Sequence, residues 1–345
     1  MKIVADKNVP FLEGVFEPYA EVVYMKGEDI SRDDLMDADA MIIRTRTKCN
    51  EELLEGTKVS MIATATIGLD HIDLDYCRAK GIEVHNAEGC NAGGVLQYVF
   101  SALYGVAARK SIKLDDFTFG IIGVGHVGSL VEKMARYLGF KVLLCDPPRA
   151  AAEGDEKFCS LEYLLTNSQI VTLHVPLDET TRNMANADFF AMMPTGSIFI
   201  NASRGEVVDE EALMLTIPKF GAVVIDTWNN EPDINEELVE MVDIATPHIA
   251  GYSYQGKLNG TAASVQAVAR HFGIEQLYDF YPQEQGDEDR SPVLLDLKGK
   301  KQGEVAAVFQ YNYPIFTDDF RFRMEPHNFE KMRSNYQYRR EIYVE

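Results

Sequence analysis

The run Gly123-Val-Gly-His-Val-Gly128 restricts what this chain can become more than any other stretch. Apolar Phe119–Ile122 before it read as a buried strand, Ser129–Tyr137 after it have helical composition, and a second strand, Lys141–Cys145, delivers Asp146. In such a strand–turn–helix unit the first glycine permits the tight turn and the second lets backbone N–H groups approach a pyrophosphate. The third lets the helix pack closely on the strand. The helix N-terminus adds unpaired N–H donors and partial positive charge, so Gly123, Gly125, His126, Val127 and Gly128 form a candidate phosphate cradle. An acid ending the next strand accepts ribose hydroxyls and repels a 2′-phosphate, which makes Asp146 a signal for NAD over NADP. Glycine-rich turns also serve as plain connections; the strand, helix and acid around this one favour a dinucleotide.

Bulk properties narrow the partners. A formal charge of −21 opposes binding to nucleic acid or to anionic membranes. No apolar run approaches the roughly 20 residues that span a bilayer. The N-terminus enters a strand-like pattern at once, without a signal-peptide core, so a cytoplasmic protein is expected. Five cysteines (Cys49, Cys77, Cys90, Cys145, Cys159) are odd in number and form no C-x-x-C pair. They read as reduced thiols, and neither a metal site nor a disulfide framework is supported.

With 345 residues the chain has room for two or three domains. Strand-like runs at Lys2–Ala5, Val22–Tyr24, Ala40–Arg44, Met61–Ala65 and Glu83–His85 alternate with short helical patterns at Pro10–Pro18, Ser31–Asp37, Asn50–Glu55 and Leu74–Lys80. Asn91–Lys110 reads as a long apolar helix. A second alternation begins at Phe119 and continues through strands at Ile170–Leu173, Ser197–Asn201, Ala222–Asp226 and Ile244–Ala245. The expected fold is α/β, with two Rossmann-like doubly wound parallel-sheet lobes and ligands at the strands' C-terminal ends. Thr261–Gly273 reads as a helix returning to the first lobe, and Gln283–Arg290 as a polar linker. Beyond it, Pro292–Leu297 and Glu304–Tyr311 look strand-like and Asn328–Arg339 helical, a small α+β tail. This tail is too small for a comfortable independent core, and its aromatics suit packing on another subunit or on its own chain equally well.

Three motifs follow predicted strands: Asn201-Ala-Ser-Arg204-Gly205, Asp226-Thr-Trp228-Asn-Asn-Glu231-Pro232, and Thr246-Pro247-His248-Ile-Ala-Gly251-Tyr252. Together they offer an Arg, a Glu and a His near a nicotinamide. Alcohol oxidation needs a base for the hydroxyl proton, and histidine suits this near neutral pH. A carboxylate on the other ring nitrogen fixes the tautomer, and an arginine matches a substrate carboxylate bidentately. Singly, each has a plain structural reading: a salt-bridged arginine, a turn-starting glutamate, a satisfied histidine. Joined behind a dinucleotide loop, Arg204, Glu231 and His248 read as catalytic. His174 and His71 read more readily as structural.

These residues resemble the D-2-hydroxyacid dehydrogenases over roughly residues 1–275. Ala63-Thr-Ala-Thr66, Glu88-Gly-Cys-Asn91 and Leu143-Leu-Cys-Asp-Pro-Pro-Arg149 resemble most a subfamily that oxidises a phosphorylated hydroxy acid and carries a C-terminal dimerisation domain. The resemblance implies NAD as cofactor, Arg204 and Glu231 in the active site, and His248 as proton donor and acceptor. It makes Asp146, Val175, Ala202, Ser203 and Arg204 cofactor contacts, with Asp226 and Gly251. It places Thr45, Thr66 and Tyr252 at the substrate. It also implies a substrate-binding lobe from 1–94 and 262–282, an NAD-binding domain at 95–261 and a homodimer formed through 286–345. Substrate is expected between the lobes, with closure excluding water. The basic cluster Arg44, Arg46 and Lys48 suits a substrate phosphate, although it can equally balance Glu51 and Glu52. Two rival readings remain: a sibling dehydrogenase, such as one acting on 3-phosphoglycerate, and an NAD(H)-sensing binding protein of the same fold.

Overall fold

A computed structural model describes residues 1–283 and 290–344. The chain folds into two compact units, one of Met1–Asn91 with Ser253–Ser291 and a second of Ala92–Tyr252 with Pro292–Glu345. Most of the polar linker expected at Gln283–Arg290 lies outside the described residues.

In the first unit, β1 (Lys2–Asp6), β2 (Glu21–Met25), β3 (Ala40–Ile43), β4 (Met61–Thr64) and β5 (Glu83–Asn86) form a parallel sheet in the order β2-β1-β3-β4-β5. Alternation along the strands sorts side chains to two faces. Ile3, Ala5, Ala40, Ile42, Met61 and Ala63 pack with Val265, Val268 and Ala269 of the helix Tyr254–Phe272. Val4, Met41, Ile43 and Ile62 meet Leu35, Leu54 and Cys77 on the other face. The order reverses beside β1, so the crevice for a ligand lies where β1 and β3 end.

The second unit holds β6 (Thr118–Ile122), β7 (Lys141–Cys145), β8 (Ile170–Leu173), β9 (Ile198–Asn201), β10 (Ala222–Ile225) and β11 (Ile244–Ala245), all parallel, in the order β11-β10-β9-β8-β6-β7. The helix Ala92–Lys110, apolar on most sides, covers one face together with His126–Tyr137. Shorter helices bury Leu164, Phe190, Leu213 and Leu238 on the other. Here the sheet's switch point falls between β6 and β8, directly after which the glycine loop begins. Both doubly wound lobes are therefore as expected.

The tail differs in detail. β12 (Val293–Leu295) and β13 (Ile342–Val344) pair in parallel, but the strand expected at Glu304–Tyr311 is a helix, Gln302–Asn312. Its aromatic and β-branched residues suggest a strand, yet Val305, Ala306, Phe309 and Tyr313 recur at helical spacing and are buried. Glu304 starts the helix by accepting from the Lys301 N–H at 2.8 Å. Phe309 stacks with Phe100 and Tyr104 of the long helix, so much of the tail's apolar surface packs on its own unit. The helical stretch expected at Asn328–Arg339 shortens to Phe329–Ser334 after a one-turn Pro326–Asn328. Pro10–Pro18 forms turns rather than a helix, since Gly14 takes φ +86° and a proline stands at each end. The helix placed at Thr261–Gly273 starts earlier, capped by the Ser253 hydroxyl, which accepts from the Gly256 N–H. Among the described residues no helix is long and apolar enough to cross a membrane.

Candidate active site

After β6 the chain turns at Gly123 with φ +83°, where a Cβ would lie 2.6 Å from the His174 carbonyl oxygen. At Gly128 a Cβ would collide with the Gly123 carbonyl oxygen. Both positions require glycine for closure. At Gly125, by contrast, a Cβ would meet nothing within 4 Å, and Gly125 and His126 are exposed at the mouth of a twelve-residue helix. Open space before aligned N–H donors is what a pyrophosphate requires, so the loop fits a dinucleotide. Val127, partly buried, packs back on the core.

Asp146 does more than the sequence suggests. Its Oδ2 accepts from the Val124 N–H at 2.7 Å, and its Oδ1 caps the next helix by accepting from the Arg149 N–H at 3.0 Å. The Arg149 guanidinium donates back to the Val124 carbonyl and pairs with Glu153 at 2.6 Å. Arg149 thus braces the glycine loop, a role with no signal in the sequence beyond following Pro147-Pro148. Val175 is partly buried beside the loop, its Cγ1 2.9 Å from where a Gly123 Cβ would stand.

Past β9, Asn201 builds the next turn. Its Oδ1 accepts from the Ser203 N–H at 3.1 Å and hydroxyl at 2.8 Å, while its Nδ2 donates to the Arg204 carbonyl at 3.0 Å. Ser203 is therefore buried, with Ala202 and Arg204 partly exposed on either side. Arg204 Nη1 donates to the Ser203 carbonyl at 2.8 Å. Gly205 abuts the following loop: a Cβ there would collide with the Trp228 carbonyl group.

That following loop is set by two carboxylates. Asp226 has no solvent exposure. It accepts from the Thr246 hydroxyl at 2.6 Å and from the Ile249 and Ala250 N–H groups, both at 2.9 Å. Burial pushes its carboxyl above the usual range, against these donors and the charge of His248. Its side chain is spent on folding the loop. Glu231 accepts from the Trp228 N–H through Oε1 at 2.9 Å and pairs through Oε2 with His248 Nδ1 at 2.7 Å. Burial raises the Glu231 carboxyl, but the His248 ring, the Trp228 N–H and the charge of Arg333 outweigh it and leave it below the usual range. His248 adopts φ +53°, held by N–H donation to the Asp226 carbonyl at 2.7 Å. With Nδ1 occupied, Nε2 is the ring atom left for a ligand.

The second unit thus brings Arg204, Glu231 and His248 onto adjoining loops, followed by Gly251 and Tyr252. A Cβ at Gly94 of the long helix would come within 3.1 Å of the Gly251 carbonyl carbon. The Tyr252 ring lies 6.0 Å from that of Tyr336 and 6.1 Å from that of Tyr338. Trp228, Glu210 and Arg333 join this group without having been singled out as site residues. Trp228 is buried and donates through Nε1 to the Thr246 carbonyl at 2.9 Å, and Glu210 accepts from the Asn229 N–H at 2.9 Å.

In the first unit, Thr45 and Thr66 follow the ends of adjacent strands β3 and β4. Thr45 is exposed, and Thr66 Oγ1 lies 2.7 Å from Thr64 Oγ1. Arg46 and Lys48 are exposed in the same turn, while Arg44 donates to the Asn8 carbonyl at 3.2 Å. His71 accepts the Cys49 N–H at its carbonyl, and burial lowers its ring pKa, in keeping with a structural role.

Comparison with known proteins adds a family context. The model of the D-isomer specific 2-hydroxyacid dehydrogenase NAD binding domain matches residues 103–250. The chain is 44% identical to an erythronate-4-phosphate dehydrogenase of Bacteroides thetaiotaomicron, over 99% of this chain and 97% of that protein. It is 41% identical to a Yersinia pestis protein of the same description, over 99% and 93%. Among solved structures, the NAD⁺-bound 3-phosphoglycerate dehydrogenase of Entamoeba histolytica matches with a TM-score of 0.67 at 29% identity, covering 81% of this chain and 97% of that one.

His174 follows β8 with Nε2 3.1 Å from Thr172 Oγ1, and burial pushes its imidazole down to about 3. In the unfolded chain the same ring takes up a proton near its ordinary pKa of about 6.5. Stability tied to this ring is full above the unfolded value and drains away as pH falls toward the folded one. His174→Asn is expected to flatten the acid-side decline of stability across that window, measured as urea midpoints at several pH values. An unaltered slope would sink this assignment.

Proposed function

The chain belongs to the D-isomer-specific 2-hydroxyacid dehydrogenases, in their erythronate-4-phosphate dehydrogenase branch, and from that membership we propose that it oxidises 4-phospho-D-erythronate to (R)-3-hydroxy-2-oxo-4-phosphooxybutanoate. It is an NAD-dependent oxidoreductase acting on a CH–OH group. The reaction supplies the route to pyridoxal 5′-phosphate, in the cytoplasm. The observation that carries the chemistry is the Glu231–His248 pair at 2.7 Å on a loop beside Arg204.

Bound NAD⁺ supplies the acceptor for the hydride leaving C2. Its phosphates are assigned to Gly123, Gly125, His126, Val127 and Gly128, and its ribose to Asp146. Val175, Ala202, Ser203, Arg204, Asp226 and Gly251 complete the proposed cofactor contacts, Asp226 by the loop it folds. His248 Nε2 takes the C2 hydroxyl proton, and Glu231 on Nδ1 stabilises the resulting imidazolium. Arg204 pairs with the substrate carboxylate and polarises the developing carbonyl. Thr45, Thr66 and Tyr252 are assigned to the substrate, and Arg44, Arg46 and Lys48 to its phosphate. Of these, Thr45, Thr66 and the basic cluster belong to the first unit, whereas Arg204, His248, Tyr252 and the cofactor contacts belong to the second.

Homodimerisation through the C-terminal segment belongs to the same proposal. Tyr311 is 89% and Phe320 64% exposed, aromatic surface that suits a second copy.

NADH formation from 4-phospho-D-erythronate, set against 3-phosphoglycerate and unphosphorylated D-2-hydroxy acids, tests the substrate. His248→Ala is expected to keep NADH affinity and lose turnover by about 10²–10⁴-fold; undiminished turnover removes His248 as the base. Arg44→Ala and Arg46→Ala are each expected to raise KM for the phosphorylated substrate about tenfold, as loss of a charged hydrogen bond does. If neither moves KM, the phosphate lies elsewhere. Sedimentation of Phe320→Glu is expected to show monomer where the native chain shows dimer; a native monomer would end that part of the proposal.

A further inference from the structure

The C-terminal segment packs on the loops that carry Glu231 and His248. Phe322 packs on Trp228 with ring centroids 5.9 Å apart, and Phe329 packs on Phe322 at 5.9 Å. Asp319 Oδ1 accepts from the Ala245 N–H at 2.7 Å, and Arg323 Nη2 donates to the Val242 carbonyl at 2.8 Å. These contacts seat the short helix Phe329–Ser334 against the loop that carries His248 and Tyr252. Its Arg333 guanidinium stands 5.9 Å from the Tyr252 ring centroid and 5.5 Å from that of Phe329, within cation–π range. The Arg333 side chain is 16% exposed, with Nη1 in a loose 3.7 Å pair with Glu330. Its Nε is buried with no hydrogen-bond partner among the described residues.

Charge balance gives this placement a meaning. His248 must be neutral before it can accept the substrate's proton. At that stage Glu231, its side chain only 19% exposed, is an anion largely withdrawn from water, and such a charge needs compensation. Two other acids face the pair, Asp226 on the His248 side and Glu210 on the Glu231 side, and both worsen the excess of negative charge. Arg333 sets a positive charge against that excess, and its charge acts on Glu231.

We propose that Arg333 is a positioning residue for proton transfer, supplying from the C-terminal segment the permanent positive charge that balances Glu231 while His248 is neutral. The inference rests on the dehydrogenase reading above. It assigns the segment a part in catalysis separate from dimerisation, with no new bond made or broken. Hydride transfer is untouched, and the proton transfer remains that of the hydroxyl proton to His248 Nε2.

Loss of this cation makes the Glu231–His248 pair take up a proton more readily, so the acid limb of activity moves to higher pH. Arg333→Met in the full chain is expected to shift the acid limb of kcat/KM upward by about one pH unit, the scale of a single charge acting across a partly screened site. Below the limb kcat/KM then falls about tenfold while the plateau changes much less, and Arg333→Lys restores most of the shift. The same displacement is expected in an NMR titration of the His248 ring in histidine-labelled protein, assigned by its loss in His248→Asn. A loss of activity uniform across pH, with the ring's midpoint unmoved, overturns the proposal and leaves Arg333 a packing residue. Because the ring titration needs no turnover, a native chain inert on 4-phospho-D-erythronate defeats the substrate reading while the role of Arg333 is still decided. Should Arg333→Met fail to fold, Arg333→Gln gives the same comparison.

Discussion

Asp226 carries its carboxylate into a place without water, below the ends of β10 and β11, where it receives three hydrogen bonds from the segment that follows. An anion buried there without those donors would cost several kcal/mol, so the segment Thr246–Ala250 can fold in few other ways. The tight wrap leaves His248 in a left-handed conformation that costs a non-glycine residue about 1–2 kcal/mol. The ring is thereby turned to Glu231. The geometry of the Glu231–His248 pair thus depends on a carboxylate whose hydrogen bonds go to Thr246, Ile249 and Ala250.

Glu231 in turn is held from both ends, by the Trp228 N–H on one oxygen and by His248 on the other. Trp228 is locked by its indole donation to Thr246 and by Phe322 from the tail. Tyr98 on the long helix reaches Thr246 as well, with its hydroxyl 2.7 Å from the threonine's. The loops bearing Glu231 and His248, the long helix and the C-terminal segment therefore share one set of contacts. Such mutual bracing keeps a donor and an acceptor within reach of each other without solvent to rearrange.

Much of this was legible in the chain itself. The strand–glycine–helix pattern, both β–α alternations and the loops bearing Arg204, Glu231 and His248 follow from local rules of turn chemistry and periodicity. What escaped is long-range. Glu304–Tyr311 looks like a strand because its aromatic content outweighs a weak helical stripe, and its place in the helix Gln302–Asn312 depends on Phe100 and Tyr104, which lie far away in sequence. The contacts of Arg149 and Arg333 carry no local signal: one guanidinium braces a loop, and the other lies beside the Tyr252 ring. Asp146 was legible as an acid in the right place, but its grip on Val124 was not. A residue's chemistry can be read from its type, whereas its partners appear only once the chain has closed on itself.

Gly205 shows where such bracing leaves no slack. Backbone from the Arg204 loop lies against the backbone at Trp228 so closely that even one methyl group would collide. The two loops form a seam along which mutation has little to explore, since shifting either one displaces the other. On the proposed placement of the substrate, a lineage drifting toward a new hydroxy acid would find its accessible steps away from that seam, at exposed positions such as Thr45 and Arg46. The reaction would be inherited intact while the choice of substrate wandered.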